Sequence, residues 1–185
     1  MSDAETGAPK VALVYESMFG GTRRIAEAIA EGMRAFHPVT VVPVEEAKRL
    51  PDDIDVLVVG APTHAHSLSR PESRAEAVQW ARDERKDLHL DGVWSDLGIR
   101  EWLKDFSPQV AHHAAFDTRA DMPRIFAGSA AAAIDRRLTK LGSKRVIEPE
   151  SFFVDRESHL EAGQVERARA WGMQLAAQLL PSPAR

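Results

Sequence analysis

A chain of 185 residues, 44% of them hydrophobic, is long enough for one domain with a substantial core. The absence of cysteine excludes disulfides, thiolate-held zinc or iron–sulfur clusters and a cysteine nucleophile. A net charge of −4 spread over interspersed residues gives no basic block for nucleic acid, and no apolar run reaches the ~18 residues that span a bilayer.

The polar start, MSDAETGAPK, has no apolar signal core, and a soluble cytoplasmic protein is the expectation. Loose ends are expected at 1–9 and 181–185, around one domain at 10–180. KVALVY (10–15) is a continuous apolar run, as a strand buried on both faces requires. A glycine turn leads into a helix from about Thr22 to Phe36, with Ile25, Ile29, Gly32, Met33 and Phe36 on one side. TVVPV (40–44) and DVLVVG (55–60) are the second and third strands. In the connection from 61 to about 109, Ser69 and Glu72 have capping-box spacing and Pro71 suits a first turn, predicting a helix to about Arg82. A short helix over Asp96–Phe106 buries Ile99, Trp102, Leu103 and Phe106, and Trp80, Trp94 and Trp102 are assigned to the core. VAHHAAFD (110–117) is the fourth strand, and Ser129–Leu141 a helix with Ile134, Leu138 and Leu141 inward and Gly142 ending it. VIEPESFFV (146–154) holds the fifth strand, broken at Pro149. A last helix from about Ser158, with Glu161 completing a capping box, carries the stripe Leu160, Val165, Ala168, Gly172, Leu175 and Leu179.

This alternation predicts an α/β fold, a five-stranded, doubly wound parallel sheet in three layers. Ligands of such sheets bind beyond the carboxyl ends of the strands, which selects ESMFGGTRR, APTHAHSLS and DTRADMPRIFAG, the loops after strands one, three and four.

The first loop carries the strongest signal. Glycines and hydroxyls between a buried strand and a helix N-terminus aim free amides and the helix dipole at one spot, suited to phosphate. Ser17 and Thr22 can add hydroxyls. The G-x-x-x-x-G-K-[ST] and G-x-G-x-x-G patterns are both absent. Gly60 stands where a receiver domain would carry its phosphorylated aspartate.

The loop resembles the phosphate loop of the flavodoxin family, [TS]-x-T-G-x-T, with Ser17, Gly20 and Thr22 at matching positions. Phe19 departs from the middle threonine, and Gly21 stands where asparagine is common. The resemblance covers most of the chain. It implies strand order 2-1-3-4-5 and FMN as cofactor, its phosphate held by Ser17, Met18, Phe19, Gly20, Gly21 and Thr22. It also implies a second contact at Pro62, Thr63, His64, Ala65 and His66, His64 standing where the family often has an aromatic residue at the flavin ring. A third contact falls on Asp117, Thr118 and Arg119, with Met122 and Phe126 as covers for the ring. Arg119 near the flavin would stabilise an anionic hydroquinone, unless Asp121 pairs with it.

The histidines could instead hold a metal. H-x-H-x-D-H fails at Leu68 and Ser69, and His112 and His113 start the fourth strand, the opposite end from His64 and His66; at about 3.3 Å per residue they lie out of reach. They are read as structural. Three functions remain: an FMN redox protein carrying electrons between partner proteins, an FMN-dependent NAD(P)H:quinone-type oxidoreductase acting on a small quinone-like substrate, or a flavin-free interaction domain. No catalytic side chain is assigned, and the oligomeric state is left open.

Overall fold

The computed structural model describes residues 7–64, 66–92, 94–106, 110–122 and 128–180. The loose ends expected at 1–6 and 181–185 lie outside these, and residues 7–9 have no regular structure.

Strands β1 (Val11–Tyr15), β2 (Val39–Pro43), β3 (Val56–His64) and β5 (His112–Ala120) form the parallel body of the sheet, in the order β2-β1-β3-β5. Beyond β5, two short strands, β6 (Lys144–Arg145) and β7 (Glu150–Val154), pair with its two ends. The expected fifth strand, 146–154, is realised as β7 alone, after Pro149, while β6 precedes the expected segment at 144–145. The order is thus the expected one, once the two-residue β4 (Ser67–Leu68), antiparallel to the end of β3, is set aside.

Alternation within the apolar strands separates two cores. Val11, Leu13 and Tyr15 pack with helices α1 (Gly21–Met33) and α5 (Gln164–Leu179) on one face. Ala12, Val14, Leu57 and Val59 pack on the other against α3 (Ile99–Asp105) and α4 (Ala130–Lys140). A helix α2 (Pro71–Arg82) precedes α3. On the first face α1 and α5 meet at glycines. A Cβ on Gly172 would fall 2.2 Å from the Ile29 carbonyl oxygen, and one on Gly32 2.2 Å from that of Arg169.

Several boundaries differ from the sequence reading. Helix α1 ends at Met33, so Phe36 is 43% exposed, and His37 takes the buried place with Nε2 donating to the Ala176 carbonyl. Ser69 does not cap α2. Ser73 Oγ accepts from the Arg70 N–H, and Ser69 is buried against Glu16 and Arg74. Helix α3 starts three residues late but buries the four expected side chains. Leu141 lies past the end of α4 and is exposed. Helix α5 starts at Gln164, not near Ser158. Residues 155–159 are a turn closed on Asp155 Oδ1, which accepts from the Glu157 and His159 N–H groups, and Leu160 reaches the core from beyond it.

Candidate functional site

The turn after β1 is built around Ser17, but not as a hydroxyl turned to a ligand. Ser17 is buried, and its Oγ accepts from the N–H of Gly20 at 3.1 Å and of Arg23 at 3.4 Å, which caps α1 from inside. Gly20 makes the turn at φ 85°, a conformation that favours glycine. Asp91 fixes the turn from the far side. Its N–H donates to the Met18 carbonyl at 2.8 Å, and its carboxylate takes both hydrogen bonds of Arg23 Nε. The N–H groups of Met18, Phe19, Gly21 and Thr22 have no partner among the described residues. They stand at the positive end of α1.

The residues that carry these amides line a cavity of about 250 Å³ at the carboxyl ends of the strands. Of the fourteen residues singled out above, it brings together Met18, Phe19, Gly21, Thr22, Pro62, Thr63, His64, Thr118 and Arg119. Thr22 on α1 and Thr118 on β5 share a buried hydroxyl hydrogen bond of 2.7 Å across its floor. Ser17 and Gly20 support it from behind, and Ala65 lies outside the described residues, as does Phe126.

Pro62–His64 and Thr118–Ala120, expected as loop, are the ends of strands β3 and β5. Pro62 pairs with Thr118 in register, carrying both strands to the cavity's edge. The chain then returns through Ser67–Leu68, with His66 at φ 74° bridged to Gly128 rather than lining the cavity. His64 is half-buried, and burial pushes its pKa below the ordinary imidazole value, against the pull of Glu76.

Asp117 takes a different role from the one expected. It is fully buried, and Oδ2 accepts from Thr63 Oγ1, Ser129 Oγ and the Ala131 N–H at the start of α4. It anchors that helix and orients Thr63, whose hydroxyl also accepts from the Ala130 N–H. Arg119, 7% exposed, has no carboxylate partner among the described residues, Asp121 included. Its Nη1 donates to the Met122 carbonyl at 2.6 Å, its guanidinium lies 5.1 Å from the Phe153 ring centroid, and its buried Nε has no partner.

The cavity also takes in Trp80, Asp155, Arg156 and Ser158, which the sequence reading did not place there. Trp80 is not core: it is 37% exposed, its ring 6.3 Å from that of His64. Its helix carries no other bulky aromatic, a signal that the ring had no apolar face to join. The loop after β7 also lies at a carboxyl strand end, so the placement rule applied to strands one, three and four reaches it equally. Trp102 is core, as expected. His112 is exposed, whereas His113 is buried and bonded to Ser143 and Asp135, so both stand at the far strand end from His64.

Fold and site together define an open, doubly wound α/β protein with an amide-lined cleft beyond the ends of strands β1, β3 and β5. The model of the family described as Flavodoxin matches residues 13–171, and the chain belongs to the flavodoxin family. Among solved structures, a flavodoxin from the domain Archaea is 16% identical over 92% of this chain and 98% of its own, with a TM-score of 0.59. Oxidised Flavodoxin 1 from Bacillus cereus is 17% identical over 91% of this chain and 97% of its own, also at 0.59. Rubredoxin oxygen:oxidoreductase from Desulfovibrio gigas is 18% identical over 92% of this chain and only 36% of its own, at 0.56. No curated protein matches the sequence. Family membership supports a flavodoxin-type redox protein and implies a flavin cofactor. Among the described residues, no helix is long and apolar enough to cross a membrane.

Proposed function

We propose that the protein is a cytoplasmic FMN-binding redox carrier that passes electrons between partner proteins. The observation that carries this reading is that Met18, Phe19, Gly21 and Thr22, whose amides have no partner among the described residues, line the same cavity as His64, Thr118 and Arg119. The residues present fit the cofactor. A phosphate takes hydrogen bonds from free N–H groups at a helix N-terminus. The orphaned Nε and unpaired charge of Arg119 suit the polar edge of a ring that becomes anionic on reduction. When bound, FMN supplies the one- and two-electron chemistry. Met18, Phe19, Gly21 and Thr22 would hold its phosphate, and Pro62, Thr63 and His64 would line one side of the ring. His64 would do so uncharged at neutral pH, since burial lowers its pKa. Ser17 and Asp117 act behind the site, by fixing the amide turn and the Thr63 hydroxyl.

The test is titration of the purified protein with FMN, followed by flavin absorbance and fluorescence. Saturable binding at micromolar concentration is expected. Well-folded protein that takes up no flavin would leave the fold as a flavin-free interaction domain. Turnover of NADPH with a quinone, without an added reductase, would move the reading to an FMN-dependent oxidoreductase.

A further inference from the structure

A second cavity, of about 210 Å³, opens beside the first and shares Trp80, Arg156 and Ser158 with it. Its other walls are Arg85, Lys86, Asp87, Leu88 and Glu157. The two sides are tied together, because His159 Nε2 donates to the Asp87 carbonyl at 3.0 Å. Ser158 is also the link to the phosphate turn: its carbonyl oxygen would lie 3.9 Å from a Cβ on Gly21.

The charges around this groove are unevenly partnered. Arg85 is bound to Asp83, and Asp155 is occupied by the N–H groups of its own turn. Asp87 and Glu157 stand at the outer rim, 86% and 78% exposed, each near a histidine. Arg156 and Lys86 are exposed and have no ion pair within hydrogen-bonding reach among the described residues; Lys86 lies 5.7 Å from the Trp80 ring centroid, and, after the hydrogen bonds from Arg85, its charge also helps hold the Asp83 carboxyl below the usual range. The flavin's own phosphate has no need of them, since main-chain amides serve it. We propose that this groove binds a second nucleotide phosphate, the diphosphate of an adenine nucleotide, between Lys86 and Arg156, with Trp80 as an aromatic wall for its base. The inference rests on the flavin reading only for its neighbour. Two sources carry this chemistry: the adenylate half of FAD seated in the first cavity, or a separate nicotinamide dinucleotide.

The probe is 5′-ADP, titrated by calorimetry into the protein with and without saturating FMN. Saturable binding is expected, weakened at least ~tenfold by Lys86→Glu, while the FMN affinity of that variant stays within about threefold. FAD binding more tightly than FMN, with 5′-ADP competing against FAD alone, assigns the groove to FAD. Binding of 5′-ADP and of NADPH to the FMN-loaded protein assigns it to a separate dinucleotide. Absence of 5′-ADP binding, or binding indifferent to both Lys86→Glu and Lys86→Gln, overturns the proposal. Protein that binds 5′-ADP in a Lys86-dependent way but takes no FMN would sink the flavin reading and leave this one standing.

Discussion

Arg119 is a buried cation whose hydrogen bonds end on main-chain oxygen and whose flat face meets Phe153, and among the described residues no carboxylate pairs with it. An uncompensated charge beside a cavity favours whichever ligand state is more negative. Arg119→Glu should therefore lower the midpoint potential of the step that forms the anionic hydroquinone. At an effective dielectric of ~20, a unit charge some 8 Å away contributes about 2 kcal/mol, and the substitution reverses it. Redox titration against dyes reads this directly, and an unmoved potential would place Arg119 away from the flavin. Thr22 makes the contrasting case, a neutral group at the amide end of the cavity. Its hydroxyl is shared with Thr118, so Thr22→Val removes one hydrogen-bonding group and strands another. FMN affinity should fall by about 1–3 kcal/mol, measured by fluorescence titration. Unchanged affinity would remove this hydroxyl pair from the site.

Elements that announce themselves locally were legible in the sequence. The run VALVY reads as a strand because both of its faces are buried, and Gly20 marks the turn because its φ of 85° is a local demand. Strand ends were not legible: Pro62–His64 and Thr118–Ala120 are mixed in polarity, and what makes them strand is the pairing of Pro62 with Thr118, fifty-six positions on. The start of α5 shows the same competition. Ser158 and Glu161 have the spacing of a capping box, but Asp155 gathers two N–H groups first and Val154 bridges to Leu160, leaving Gly163 to begin the helix. Trp80 and Arg156 reach the cavity from segments far apart in the chain, which no local pattern encodes. The α1–α5 crossing can be tested at this scale. Its glycines leave no room for a side chain, so Gly172→Val must push the helices apart or strain their backbones. A loss of about 1–3 kcal/mol is expected in urea unfolding. An unshifted midpoint would mean that the helices do not approach this closely.

Across the whole molecule, the segment that supplies Trp80 is fastened to the sheet by a buried carboxyl directly before the phosphate turn. Glu16 is 5% exposed. It accepts from Ser69 Oγ and from the Ile99 N–H at the start of α3. Arg74 on α2 donates to Ser69 and pairs with Glu101 on α3, so one guanidinium serves two carboxyls. Burial raises the Glu16 pKa above the ordinary carboxylate value, against the opposing pull of its hydrogen bonds and Arg74, and Glu101 adds to the rise. The folded state therefore holds this proton more tightly than the unfolded chain. That contribution to stability is complete below the ordinary glutamate range and is lost as pH rises through the raised value. His64 and His113, whose pKa values burial lowers, act with the opposite sign, losing stability as pH falls. The total stability curve thus mixes both trends, and the informative quantity is the difference between wild type and Glu16→Gln, whose amide cannot ionise. Urea unfolding from pH 5 to pH 8 should show the wild type's advantage shrinking as pH rises. Parallel curves would mean that Glu16 is ionised throughout, its charge met by Arg74, and that the fastening is an ion pair rather than a neutral hydrogen-bonded clasp.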